Sequence, residues 1–116
     1  MRCLIVDDNP SVLVAARGLL EREGIGVVGV ATNADGAIRS VADLRPDVVL
    51  VDIDLGEESG FELARQLDGA SVILISAHAE RDYADLIEAS PAVGFLSKSE
   101  LSASAIRAIL SVFPGT

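Results

Sequence analysis

Five short apolar runs rich in β-branched residues alternate along this chain with segments of helical periodicity. The runs cover residues 3–6, 27–31, 48–51, 71–75 and 93–97. Continuous apolar runs of this length are typical of strands that are buried on both faces of a sheet. The intervening segments place apolar residues at i, i+3, i+4 and i+7, most clearly over residues 12–20 and 106–113. The pattern therefore predicts five strands, each followed by a helix.

Local sequence marks the helix boundaries. Four residues are predicted N-caps of the first, second, third and fifth helices: Asn9, Asn33, Ser59 and Ser99. Pro10 favours the first helical position, and Gly24 is placed to end the first helix. Glu62, three residues after Ser59, completes a capping box. The fourth helical segment, residues 82–89, ends at Ser90-Pro91 and has few large apolar residues, so we expect it to be the least firmly held.

Alternating strands and helices indicate an α/β fold, a doubly wound five-stranded parallel sheet with helices on both faces. We expect the strand order 2-1-3-4-5, in which ligands bind beyond the carboxyl ends of the strands. Polar side chains stand at those predicted ends: Asp7, Asp8, Thr32, Asp52, Asp54, Ser76 and Lys98. The strand that ends at Thr32 would lie at the far edge, so the other four strands should supply the chemistry.

The charges of these residues suggest a particular chemistry. The chain has 116 residues and carries 18 acidic and 9 basic residues, a net charge of −9, with Lys98 its only lysine. This acidity argues against direct nucleic-acid binding, which needs a basic face. Neighbouring carboxylates repel one another, and a hard cation such as Mg²⁺ relieves that repulsion. Ser76 and Lys98 would complete an anion-binding cage suited to an aspartate that attacks phosphorus.

Other classes of protein fit the sequence poorly. The chain contains no apolar run long enough to span a membrane, and its opening residues do not resemble a secretory signal. Its single cysteine, Cys3, excludes an internal disulfide or a cysteine-based zinc site and is expected to lie in the core. The sequence therefore predicts a cytoplasmic protein without a membrane-bound part.

Five segments in order carry a resemblance to a known family: residues 4–8, 48–52, 59–60, 73–77 and 94–98. Over its whole length the chain resembles the receiver domain of bacterial two-component response regulators. The resemblance implies that residues 1–116 form one receiver domain with a flavodoxin-like (βα)5 fold. It also implies that Asp52 is the phosphoacceptor, that Asp8 and Asp52 bind Mg²⁺ with the backbone carbonyl of Asp54, and that Asp7 acts mostly through water.

The same resemblance assigns roles to residues near the phosphoacceptor. Ser76 would hydrogen-bond the phosphoryl group and Lys98 would pair with it. Phe95 matches an aromatic switch position that turns inward when Ser76 moves toward the phosphate. His78 follows Ser76 by two residues and is either an exposed loop residue or, together with Asp54, a group that tunes the lifetime of the acyl phosphate.

The function implied is a signalling switch that assists its own phosphorylation and dephosphorylation rather than an enzyme. The phosphoryl group would come from a sensor histidine kinase or a small phosphodonor. Phosphorylation would change the surface of the fourth and fifth βα units, with a homodimer as one result and transcription through a helix-turn-helix domain as one output. The domain itself would not bind nucleic acid. The sequence leaves open whether the chain stands alone or belongs to a longer regulator.

The sequence departs from the family pattern at two positions. Gly56 stands where the family often has proline, which predicts a mobile, acidic loop over residues 56–60. Lys98-Ser99 replaces a Lys-Pro pair that is often cis, so the isomer of this peptide bond stays open.

Two alternative functions also fit parts of the sequence. One alternative is a haloacid-dehalogenase-like phosphatase, suggested by Asp52-Ile53-Asp54. The other is a receiver-like protein that binds partners without being phosphorylated.

Overall fold

The computed structural model describes residues 1–67 and 69–112. Five strands form the main sheet: β1 (Arg2–Val6), β2 (Gly26–Ala31), β3 (Val48–Asp52), β4 (Ser71–Ser76) and β5 (Gly94–Ser97). Five α-helices follow them in turn: α1 (Pro10–Arg22), α2 (Ala34–Leu44), α3 (Gly60–Gln66), α4 (Ala84–Glu88) and α5 (Ala103–Val112). The alternation predicted from the apolar pattern is therefore confirmed.

The five strands are parallel and lie in the order β2-β1-β3-β4-β5, which confirms the predicted order 2-1-3-4-5. The register aligns the carboxyl ends of the inner strands. Val6 lies beside Val51, Asp52 lies beside Ile75, and Ser76 lies beside Ser97. Polar residues that follow or end these strands are consequently delivered to one edge of the sheet. Thr32 follows the edge strand β2 and lies apart from them.

The core has two layers because successive residues of a strand point to opposite faces of the sheet. On one face, Ile5 and Leu50 belong to a cluster with residues of α1 and α5. On the other face, Leu4 and Val49 belong to a cluster with residues of α2 and α3. Cys3 is fully buried in the first cluster, as predicted.

Three of the predicted helix caps are confirmed. The Asn9 side chain accepts a hydrogen bond from Ser11 N, and the Asn33 side chain accepts one from Gly36 N. Ser59 Oγ accepts from the backbone N–H groups of the first turn of α3. Only half of the predicted capping box forms, since the Glu62 carboxylate pairs with the Arg65 guanidinium at 3.0 Å.

The predicted cap of the fifth helix is wrong. Residues Lys98–Glu100 form a 3-10 turn, and the Ser99 hydroxyl contacts Ser97 Oγ at 3.0 Å instead of capping a helix. Ser102 lies directly before α5, and its Oγ accepts a hydrogen bond from Ala105 N at 2.9 Å. The Glu23 carboxylate, 80 residues earlier in the chain, accepts from Ala103 N at 2.7 Å. The turn after β5 therefore moves the start of α5 beyond Ser99.

The fourth helical segment is the shortest α-helix of the part of the chain that is described. A 3-10 turn over Glu80–Tyr83 precedes the five residues of α4, and neither element contains a buried residue. The segment's few large apolar residues thus leave it without a buried residue, in line with the expectation that it is the least firmly held of the helical segments. In the fifth helix, the apolar stripe predicted to continue to Phe113 reaches beyond the described residues.

The loop between β3 and α3 contains structure that the apolar pattern did not predict. Asp54–Leu55 and Glu58–Ser59 form a small antiparallel hairpin, with Gly56 at its turn and at a φ of 74°. Gly60 follows the hairpin and lies so close to β3 that a Cβ there would overlap the Asp52 backbone oxygen. The loop that we expected to be mobile is thus hydrogen-bonded and packed directly against the end of β3.

Candidate functional site

A cleft of about 200 Å³ opens at the carboxyl ends of β1, β3, β4 and β5. It is lined by residues from all four strand ends: Asp7, Asp8, Asn9, Asp52, Asp54, Ser76, Ala77, His78 and Lys98. A larger cleft, of about 820 Å³, lies at the opposite edge near the end of α2, and the charged residues among its described lining are Arg45 and Asp47. The polar residues that the sequence predicted to form the functional site therefore line the smaller cleft.

Three carboxylates meet at the centre of this cleft. Asp7, Asp8 and Asp52 each offer an oxygen, and these three atoms lie within 4.8 Å of one another. Asp7 and Asp52 are buried, whereas Asp8 is exposed and gives the cluster access to solvent. Asp7 Oδ2 is buried and accepts no well-aligned hydrogen bond in the described part of the chain. An oxygen-rich cluster of this kind fits a hard divalent cation, which takes carboxylate and water ligands.

Lys98 lies between the two buried carboxylates. Its Nζ is 2.8 Å from Asp7 Oδ2 and 2.9 Å from Asp52 Oδ2. Burial on its own would lower the pKa of Lys98, but the contacts with the two carboxylates outweigh burial and raise its pKa. The ammonium is therefore firmly charged, and it neutralises part of the acidic cluster.

Asp52 is fixed through both of its carboxylate oxygens. Asp54 N donates to Asp52 Oδ1 at 3.0 Å, while Lys98 Nζ donates to Asp52 Oδ2 at 2.9 Å. Burial nevertheless raises the pKa of Asp52, with the Asp7 charge adding to the increase and the two donors opposing it. Such a carboxylate is held in one orientation and is poorly solvated, two properties that favour nucleophilic attack.

Ser76 ends β4 and is buried. Its Oγ lines the cleft and accepts a hydrogen bond from His78 N at 2.9 Å. The His78 side chain itself is exposed, and its ring centroid lies 6.3 Å from that of Tyr83. The hydroxyl of Ser76 thus keeps a donor proton that can point into the cleft, and His78 stands at the border of the cleft.

Phe95 lies on β5 beside Leu74 and is only 9% exposed. It belongs to the core cluster on the α2 and α3 face, and it also lines a second cavity of about 310 Å³ together with His78 and Ser97. The aromatic ring is therefore inward in this structure, close to the loop that follows Ser76. No cis peptide bond occurs in the described residues, so the Lys98–Ser99 bond is trans.

The sequence did not predict that Asn9 and Gly60 help to shape the cleft. Asn9 N donates to Asp7 Oδ1 at 2.9 Å, so the residue that caps α1 also orients a buried carboxylate. Gly60 allows α3 to begin against the Asp52 backbone, and its N–H donates to Ile53 O at 2.9 Å. The pair Ser59-Gly60 was visible in the sequence, but only the close approach explains why glycine is needed there.

Comparisons with known proteins agree with this arrangement. Residues 3–111 match the family described as response regulator receiver domain. The chain is 32% identical over 105 residues to the DNA-binding transcriptional activator EvgA of Escherichia coli strain K12, covering 86% of this chain and 51% of EvgA. This chain thus spans about half the length of that relative.

Solved structures give the same result. A two-component response regulator of the LuxR family from Aurantimonas sp. SI85-9A1 superposes with a TM-score of 0.84 at 32% identity, covering 98% of this chain and 85% of that one. A response regulator from Burkholderia pseudomallei, solved with a phosphorylated aspartic acid, a calcium ion and citrate, has a TM-score of 0.76 at 26% identity. That match covers 94% of this chain and 65% of the other. With its fold, its cleft and its sequence all in agreement, the chain belongs to the response regulator receiver domain family.

Proposed function

We propose that Asp52 accepts a phosphoryl group from a sensor histidine kinase and that the modified domain then signals through the surface around α4, β5 and α5. The observation that carries this proposal is the position of the Asp52 carboxylate. It lies in an open cleft, between the backbone N–H of Asp54 and the ammonium of Lys98. The phosphorylated aspartic acid of the related Burkholderia pseudomallei protein supports the same chemistry.

The acidic cluster fits a Mg²⁺ ion. Asp8 and Asp52 would hold it through their carboxylates, with the backbone carbonyl of Asp54 as a further ligand and with Asp7 acting mostly through water. When bound, the ion supplies positive charge to the phosphoryl oxygens, where negative charge is concentrated during transfer. Among the described residues, the mutual proximity of Asp7, Asp8 and Asp52 is the geometric support for this site.

Phosphoryl transfer would use the chain's own residues as follows. A carboxylate oxygen of Asp52 forms the new bond to phosphorus, and the bond from phosphorus to the donor's imidazole nitrogen or acyl oxygen breaks. The leaving group keeps that electron pair. Lys98, already 2.9 Å from Asp52, provides a fixed positive charge for the phosphoryl oxygens, and the Ser76 hydroxyl donates to one of them. These residues are positioned before reaction, which lowers the cost of organising the transition state.

Signalling would follow from Ser76 and Phe95. A phosphoryl group that draws the Ser76 hydroxyl toward it would break the 2.9 Å bond from His78 N and move the loop above Phe95. That loop leads into the 3-10 turn and α4, which contain no buried residue. An element with so few core contacts changes position at low energetic cost, as a two-state switch requires.

The phosphoacceptor is tested by incubation with acetyl phosphate and Mg²⁺ followed by intact-mass measurement. The wild type should gain one phosphoryl group, and Asp52→Asn should gain none, while Asp47→Asn, at the opposite edge of the sheet, should behave as the wild type. Absence of a mass shift with any donor would overturn the proposal. Stable binding of beryllofluoride with Mg²⁺ would argue against a receiver that works without phosphorylation, and turnover of phosphate esters would favour the phosphatase alternative.

We also propose that the His78 side chain and Asp54, at the border of the cleft, tune the lifetime of the acyl phosphate. Replacing His78 by alanine keeps the backbone donor to Ser76 and removes only the exposed ring. The dephosphorylation rate of His78→Ala should change several-fold while its melting temperature does not. An unchanged rate would remove the ring from the mechanism.

The wider setting is proposed on coarser grounds. Because the matched relative is about twice as long and is a DNA-binding activator, we propose that residues 1–116 act as the receiver domain of a transcriptional regulator. The net charge of −9 supports a domain that does not itself bind nucleic acid. No helix in the described ranges 1–67 and 69–112 is long and apolar enough to cross a membrane. We propose a cytoplasmic location, because a histidine kinase needs the nucleotide that the cytoplasm supplies.

We also propose that phosphorylation produces a homodimer. Light scattering with and without beryllofluoride measures the molecular mass and so tests for the dimer.

A further inference from the structure

The hairpin between β3 and α3 is tied to α2 by one side chain. Glu58 Oε1 accepts a hydrogen bond from Ala34 N at 3.0 Å, across 24 residues of sequence. Ala34 is the first residue of α2, whose N-terminal N–H groups have no partners within the helix. Asn33 satisfies Gly36 N, so the Glu58 carboxylate serves a separate donor. A negative charge at this end is also favoured by the helix dipole.

Besides its contacts with the end of β3, the hairpin has few bonds of its own among the described residues. It pairs only Asp54 with Ser59 and Leu55 with Glu58, and a hairpin of this size is marginally stable without further contacts. Leu55 is buried and fixes one side of the turn. Gly56 has a φ of 74°, whereas proline requires a φ of about −65°. The backbone of this turn therefore excludes proline, the residue that would restrain the loop most.

Asp54 stands directly across the hairpin from the anchored strand. It pairs with Ser59, the neighbour of Glu58, and its carboxylate accepts from Gly56 N at 3.2 Å. Its N–H donates to Asp52 at 3.0 Å. Movement of the Glu58 strand would therefore be transmitted through the hairpin to Asp54 and to the carboxylate of Asp52.

We propose that Glu58 is a positioning residue for the Mg²⁺ site: it fastens the hairpin to the N-terminus of α2 and so holds Asp54 and Asp52 in the arrangement that binds the cation. This inference rests on the proposed Mg²⁺ site. Glu58 itself touches neither the cation nor the phosphoryl group. Its effect reaches the site only through the backbone of the hairpin.

Magnesium titrations of the intact 116-residue chain by isothermal calorimetry test the proposal, with four proteins compared. Glu58→Ala removes both the charge and the acceptor, whereas Glu58→Gln removes the charge and keeps an acceptor for Ala34 N. Glu57→Ala is the matched control, because Glu57 is exposed in the same loop and makes no hydrogen bond or ion pair to any described residue. Hydrogen exchange of the Ala34 amide reports the anchor directly.

The expected result is a Mg²⁺ dissociation constant for Glu58→Ala about three- to tenfold above that of Glu57→Ala, the range that one lost hydrogen bond supplies. Glu58→Gln should lie nearer to Glu57→Ala, and faster exchange of the Ala34 amide should accompany only Glu58→Ala. Equal weakening in Glu58→Ala and Glu57→Ala would overturn the proposal, since loss of charge would then account for it. Unchanged affinity in Glu58→Ala would overturn it as well. Failure of the wild type to bind Mg²⁺ is a different outcome, which removes the metal site itself.

Discussion

Lys98 Nζ lies 2.9 Å from Asp52 Oδ2, although 46 residues separate the two in sequence. The same nitrogen lies 2.8 Å from Asp7 Oδ2, so one ammonium serves two buried carboxylates. This contact joins the ends of β3 and β5 across β4. It places the only lysine of the chain where it stabilises the resting site and where it also faces an incoming phosphoryl group.

Replacing Lys98 by methionine should destabilise the fold at neutral pH. Two buried carboxylates would lose their counter-charge, and breaking such a pair costs about 3 kcal/mol. The pKa of Asp52 is already raised, and it would rise further without the Lys98 donor. A carboxyl whose pKa is higher in the folded state stabilises the fold most below its unfolded pKa and loses that contribution as pH rises. Lys98→Met should therefore recover stability relative to the wild type as pH falls from neutral into the acid range.

Urea denaturation at several pH values measures this recovery. Arg39→Met is a suitable control, because it removes one positive charge from an exposed position of α2. A Lys98→Met variant as stable as the control at pH 8 would contradict the assigned role of the ion pair.

The Cys3 thiol predicts how stability changes in alkali. Burial raises the pKa of Cys3 from 9.0 to about 12. The stabilisation from this group is complete below pH 9 and is lost as pH rises toward 12, because the unfolded thiol ionises first. The loss should reach about 2 kcal/mol near pH 10.5, from about 1.4 kcal/mol for each pKa unit. Comparing denaturation curves of the wild type and Cys3→Ala at pH 8 and 10.5 isolates the thiol, and parallel losses in the two proteins would refute the prediction.

Gly60 and Gly18 should respond oppositely to alanine. At Gly60 a Cβ would overlap the Asp52 backbone, so α3 or β3 must shift, at a cost of about 2 kcal/mol. Gly18 lies inside α1, where the nearest atom to a new Cβ is the flexible end of Arg22 at 3.2 Å. Alanine there should stabilise the protein by up to about 1 kcal/mol through higher helix propensity. Thermal melts of the two variants check the contrast, and Gly60→Ala should also accept phosphoryl groups more slowly. Similar melting temperatures would show that the close approach at Gly60 is unimportant.

The start of α5 can be tested with two serines. Ser102→Ala removes the acceptor for Ala105 N and should cost about 1 kcal/mol, the usual value of an N-cap. Ser99→Ala removes only a contact with Ser97 in the preceding turn and should cost less than about 0.5 kcal/mol. Urea denaturation ranks the two variants, and the reverse order would mean that the helix begins at Ser99 after all.

The apolar pattern was sufficient to predict the sheet, because each strand is marked by a short apolar stretch of neighbouring residues and that mark recurs five times along the chain. Each strand is four to six residues long and contains a short apolar stretch, most of which is buried in the structure. The caps at Asn9, Asn33 and Ser59 were predictable for the same reason, since a cap bonds to N–H groups two or three residues away. At the fifth helix the same local reasoning pointed to Ser99 and was wrong, because the 3-10 turn after β5 delays the start of α5 and Ser102 bonds to its first turn instead.

By itself, the sequence determined the alternation of strands and helices, the acidic and polar residues at the strand ends, and the family. The tertiary structure decided which of those residues touch. Lys98 contacts Asp7, and Glu58 bonds to Ala34, across segments that are far apart in the chain. Gly60 is needed because α3 packs closely against the Asp52 backbone. Periodicity reports which face of an element is buried, whereas distances of 3 Å between side chains depend on how whole elements pack against one another.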